Sequence, residues 1–155
     1  MKNFEVSKRV LRLHTLMKAA TSSTLDVELQ SHWARYICVL VAGLLENALI
    51  ELYSEHVTRA SSGPTANYAR SRLATIQNPK AVKFVDLARS FDPIWAKELE
   101  NFMADDGRKD AIDSIMNLRH QIAHGKDAGI TYVQIRLYLE KALEVVEFIE
   151  KQLRP

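Results

Sequence analysis

The stretch Trp33-Ala-Arg-Tyr-Ile-Cys-Val-Leu-Val-Ala-Gly-Leu-Leu-Glu-Asn-Ala-Leu-Ile-Glu-Leu52 decides the fold. Trp33, Ile37, Leu40, Leu44, Ala48 and Leu52 recur at steps of four and three, the spacing of one face of an α-helix. The middle of the run is apolar nearly all round, as in the central helix of a bundle. Its uncharged apolar part, Tyr36 to Leu45, is too short to cross a bilayer. Glu46 interrupts it. A carboxylate there is costly unless it is paired or faces water, so Glu46 is either a functional group or the buried partner of an arginine.

Outward from this helix, the same periodicity appears on both sides. Val6, Val10, Leu13, Met17 and Ala20 predict an amphipathic first helix, closed by Thr21-Ser-Ser-Thr24. Ser61-Ser-Gly-Pro-Thr65 closes the second. Asn78-Pro79 and Asp92-Pro93 each set a capping side chain before a proline, which predicts two short helices starting there. From about Arg108 a stronger helix carries Ala111, Ile115, Leu118 and Ile122 on one face and stops near Gly125. The last helix opens with a capping box, Thr131-Tyr-Val-Gln134. Its seam is Ile135, Leu139, Ala142, Val146, Ile149 and Leu153, with Glu147 and Lys151 paired one turn apart outside. No repeat, low-complexity tract or strand-like alternation is visible. The fold class is therefore all-α: an up-and-down four-helix core, with short helices between the second and third long ones, in a single domain over 1–155.

Composition narrows the function classes. With 155 residues, 47% hydrophobic and 26% charged, the chain can bury a core and is not expected to be disordered. A net charge of +2 identifies no nucleic-acid binder by itself. The basic residues are unevenly spread: Lys2, Lys8, Arg9, Arg12 and Lys18 face only Glu5 near the start. The stretch from Arg59 to Arg89 is also basic, with Asp86 as its acid; a solvated face is the plain account of both. Cys38, alone, reads as a small buried hydrophobe, and no disulfide can form within one chain. The first residues lack the apolar core of a signal peptide, so a cytoplasmic location is expected.

Chemistry concentrates in Asn117-Leu-Arg-His-Gln-Ile-Ala-His-Gly125. Arg119, His120 and His124 supply one guanidinium and two imidazoles at the end of a helix. Metal-free RNA cleavage requires a base for the ribose 2′-hydroxyl, an acid for the leaving 5′-oxygen and a cation for the crowded phosphorane. Imidazole titrates near neutrality, and guanidinium offers a planar fork to phosphate oxygens. His124 is accordingly read as the proton-transfer group and Arg119 as the phosphate binder. Their five-residue spacing sets them roughly 140° apart on a straight helix, so they cannot meet on one phosphate. Either the last turn distorts at Gly125, or two copies of the motif face each other across a two-fold axis. His120 and His124 lie one turn apart and could ligate a metal, but no third ligand accompanies them and no metal or cofactor is expected. Asn117 and Gln121 are rim contacts or plain exposed polar positions.

The R-x4-H spacing, with a polar residue after the arginine and on the third long helix of an all-helical chain, resembles the HEPN superfamily. It is most similar to stand-alone HEPN proteins of the RiboL-PSP type, and the helical layout extends the likeness over most of the chain. The resemblance implies a metal-independent endoribonuclease acting on RNA as a homodimer with a composite site, in a toxin-antitoxin or defence setting. It also implies that His120 tunes or orients the site. HEPN toxins modified by a nucleotidyltransferase antitoxin often carry a tyrosine two residues after the motif histidine. Here that position is Lys126, which leaves the identity of an antitoxin protein open. Two other readings stand beside this one: a non-catalytic HEPN-like module that binds nucleotide, RNA or a partner protein, and a structural helical dimer with an internal Arg119–Glu46 ion pair.

Overall fold

A computed structural model describes residues 1–21 and 26–154, without the side chains of 20 and 21. Among these residues the chain forms seven helices and no strand: α1 (Phe4–Thr21), α2 (Val27–Ala60), α3 (Gly63–Leu73), α4 (Ala81–Phe91), α5 (Pro93–Ala104), α6 (Arg108–Ala123) and α7 (Tyr132–Gln152). The expected closing turn of α1 lies, from Ser22 to Thr24, outside the described residues, as does the side chain of Ala20.

The long helix α2 packs against α1, α3, α6 and α7. That is the central position its all-round apolar sequence called for. Ile37, Leu45 and Leu49 of α2 are fully buried with Ile112 and Ile115 of α6 and Ile135, Leu139 and Ile149 of α7. Each such side chain contributes about 1.5–3 kcal/mol through loss of apolar contact with water. By length and composition α2 could also cross a bilayer, but 56% of its most apolar window is buried inside the bundle.

The short helices pair with each other, α4 against α5, and close over α6 and α7. Asp92 caps α5 as its sequence predicts, its carboxylate accepting from the Ile94 N–H at 2.6 Å with Pro93 in the first turn. Two starts differ from expectation. Gly63-Pro64 does more than end α2: the proline seats in the first turn of another helix, α3. Asn78-Pro79 does not open α4. Asn78 takes a left-handed conformation (φ 45°), and the helix begins at Ala81 after Lys80, which makes no side-chain cap. Asp113 of α6 supplies the cap instead, its Oδ1 accepting from the Ala81 N–H at 2.8 Å.

Both ends of α6 are held. At its start Arg108 reaches Glu144 of α7 at 2.7 Å and lies 4.1 Å over the Phe102 ring, while Lys141 pairs with Asp106. Phe102 in turn stacks on Phe148. The N-terminal end of α1 is held by Glu150, the buried charged residue of α7. Its carboxylate accepts from the Lys2 and Asn3 backbone N–H groups at 2.8 and 2.5 Å and pairs with Arg154 at 3.2 Å. The expected Glu147–Lys151 pair is not among the ion pairs of the described residues; Glu147 faces the N-terminal amine of Met1 at 3.8 Å.

Candidate functional site

The motif sits where α6 stops, and the stop is built from backbone hydrogen bonds. His124 leaves helical geometry (φ −97°, ψ 15°), and its N–H is shared between the carbonyls of His120 and Gln121. Gly125 follows at φ +66°; its N–H donates to Ile122 O, and the Lys126 N–H returns to Gln121 O at 2.9 Å. This pair of crossed bonds is a Schellman cap, which requires a left-handed residue after the helix and so selects glycine. Beyond it, Asp127 accepts from Arg35 of α2 at 2.6 Å, Ala128 and Ile130 are buried, and the Thr131–Gln134 capping box starts α7.

Helical geometry separates the motif into two sides. Asn117, His120, Gln121 and His124 are exposed and fall within about 100° of one another. The His120 and His124 rings meet at 4.3 Å between centroids, inclined by 60°. Arg119 falls on the arc of Ile112, Ile115 and Met116, which face the core, and is half-buried. Among the described residues its guanidinium makes no hydrogen bond or ion pair, and none of its nitrogens is sealed from solvent. The distorted last turn thus sets His124 against His120. Asn117, Gln121 and Lys126 stand exposed at the rim.

Glu46 is not at this end of the molecule. The Cys38 thiol donates to Ile115 O at 3.8 Å, which sets those two residues at one level of the antiparallel pair α2–α6. Arg119 lies four residues from that level in one direction and Glu46 eight in the other, roughly 18 Å apart along the axis. Glu46 is half-buried and its Oε2 accepts from the Asn78 N–H at 2.6 Å, holding the turn before α4. None of the ion pairs of the described residues joins it to Arg119.

The antiparallel packing brings other residues to the level of the motif, and sequence spacing alone does not announce them. Arg35 bridges to Asp127 while its Nε is buried without a partner. Trp33 and Tyr36 stack at 5.3 Å, beside His32 and Leu29. In the sequence, Trp33 belongs to the apolar periodicity of α2; only the exposed Tyr36 three residues on marks a second, outward face. Two imidazoles adjoin, but no group of three or more His, Cys, Asp or Glu side chains gathers among the described residues as a metal cage would.

An all-helical bundle with an R-x4-H motif on a capped helix end defines a HEPN-type domain. The family model described as RiboL-PSP-HEPN matches residues 5–154, and the chain belongs to that family. No curated protein and no solved structure matches it.

Proposed function

We propose that the protein is an endoribonuclease that cuts RNA without a divalent ion, two copies of the chain combining their motifs in one cleft. The observation that carries this reading is the presence, at one capped helix end, of two solvent-facing imidazoles in contact and, on the other side of the same turn, a charged guanidinium that has no partner among the described residues. An arginine left unpaired where it is half-buried is a ready binder of phosphate. In the reaction an imidazole of His124 takes the 2′-hydroxyl proton as the oxygen attacks phosphorus. The P–O5′ bond breaks, and an imidazolium, that of the second copy, returns a proton to the leaving oxygen. Arg119 stabilises the charge of the phosphorane. The products are a 2′,3′-cyclic phosphate and a 5′-hydroxyl. His120, edge-on to His124, orients its ring. We place the enzyme in the cytoplasm, as a toxin or defence effector with an antitoxin protein as a partner.

The test is incubation of the purified protein with total RNA in excess EDTA. Cleavage should persist, fall by about two orders of magnitude or more in His124→Ala and Arg119→Ala, and leave 2′,3′-cyclic ends. Binding of RNA or nucleotide with no cleavage would turn the conclusion to the second reading, a non-catalytic HEPN-like module. The core-facing position of Arg119, away from the histidines of its own chain, is the observation that favours that reading.

A further inference from the structure

Between Asp113 and Glu140 the sequence holds a single carboxylate, Asp127, in a stretch that carries Arg119, His120, His124, Lys126 and Arg136. In the fold its hydrogen bond goes elsewhere. Asp127 lies on the turn that follows the motif and accepts from Arg35 of α2, Nη2 to Oδ1 at 2.6 Å. Arg35 belongs to the same seam as Arg119. With Cys38 and Ile115 at one level of the antiparallel pair α2–α6, Arg119 is level with Ala34, about 1.5 Å along the axis from Arg35. Arg35 is roughly 60° round α2 from Cys38 and Arg119 roughly 40° round α6 from Ile115, so the two side chains leave from facing sides of the two helices.

The ion pair is lopsided. The Arg35 side chain is 30% exposed, whereas that of Asp127 is 89% exposed. One edge of a guanidinium fork consists of Nε and Nη2 and matches two oxygens of a carboxylate or phosphate. Asp127 holds Nη2 alone, and Nε, sealed from solvent, has no partner among the described residues. A buried donor left unmatched is destabilising, and an ion pair whose acid is in open water returns little of that cost. Stability therefore does not account for the arrangement. An anion better fitted to the edge than Asp127 does.

We infer that Arg35 is a second phosphate-binding arginine of the motif, and that Asp127 is a stand-in anion which a backbone phosphate of RNA displaces; the inference rests on the nuclease reading above and adds to its site a residue from another helix. Because Asp127 is exposed and makes one hydrogen bond, it can leave at little cost. Its departure gives both nitrogens of the edge to the phosphate, while Arg119 reaches the same strand from the facing helix. Until RNA arrives, the carboxylate keeps the guanidinium charge balanced, and so Asp127 sets the affinity of the site.

Fluorescence anisotropy on the full chain with a labelled single-stranded DNA, which lacks the 2′-hydroxyl and cannot be cut by the proposed route, reads binding apart from chemistry. Arg35→Gln should weaken binding about 10-fold or more and flatten the slope of log affinity against log salt by about 0.7, the share of one phosphate contact on a single strand. Asp127→Asn should tighten binding about threefold at unchanged helical circular dichroism. In the double variant that gain should vanish, because Asp127 acts through Arg35. Arg35→Lys keeps the charge and loses the fork; it should fall between wild type and Arg35→Gln, and it replaces the latter if the glutamine variant does not fold. A pair that only braces the turn predicts weaker binding for Asp127→Asn as well, and that result overturns the inference. So does a gain that persists in the double variant, DNA binding to which Arg35 is indifferent, or no DNA binding at low salt. The expected binding pattern without RNA cleavage leaves this inference standing and removes the nuclease reading; RNA cleavage undiminished in Arg35→Gln does the reverse.

Discussion

Tyr53 is fully buried, its hydroxyl has no hydrogen-bond partner among the described residues, and burial pushes its phenol far above the usual value. A buried hydroxyl left unpaired costs about 1–3 kcal/mol of desolvation, offset here by ring packing on Phe91 at 4.9 Å. Tyr53→Phe should therefore leave stability unchanged or raise it by about 1 kcal/mol in urea unfolding; a loss of that size would mean a hidden partner. Cys38 is likewise enclosed, with its thiol pushed up to about 11 by burial. It should resist thiol reagents in the native state and react at once in denaturant. Arg119 is the contrasting residue. With no partner among the described residues to lose, Arg119→Ala should shift unfolding free energy by less than about 1 kcal/mol while removing activity, and a collapse of the fold would return it to a structural role.

At the scale of elements, the ends of helices carry the arguments. Gly125→Ala places a Cβ at φ +66° and should cost about 1–2 kcal/mol, loosening the turn that presents His124. Asp113→Ala removes the carboxylate that caps α4 from another helix and should cost about 1 kcal/mol, a local effect readable as faster amide exchange at Ala81. The clasp at the start of α6 gives a pH signature. Lys141, first by its hydrogen bond and then by its charge, holds the exposed Asp106 carboxyl below the usual carboxylate range. Its folded value is depressed, so its contribution is present above the unfolded value and is lost as pH falls through the lower one. Acid titration followed by NMR should find Asp106 titrating below its value in Lys141→Ala. These caps were unevenly legible in sequence. Asp92 and the Thr131–Gln134 box work locally, within four residues, and sequence spacing finds them. Lys80 is an unremarkable residue whose helix start depends on a side chain 32 residues away.

For the whole molecule, a site shared between copies makes activity depend on concentration. If two chains complete one cleft, specific cleavage activity should fall on dilution below the dimer dissociation constant and return when the protein is concentrated again. Activity that is constant down to nanomolar protein would count against a shared cleft. What the sequence by itself determined was the all-helical class, the centrality of α2, the buried seam of α7 and the Arg119–His124 motif on a glycine-stopped helix. Those features rest on periodicity and capping, which act within a few turns of chain and leave their mark on residue spacing. Only the tertiary structure decided that Glu46 serves the turn at Asn78 instead of the motif, that Arg35, Trp33 and Tyr36 stand at the motif's level, and that Tyr36 and Val39 of α2 are exposed. Each of these follows from which helices pack against α2 and in what direction, a matter of contacts between residues far apart in sequence, on which helical periodicity is silent.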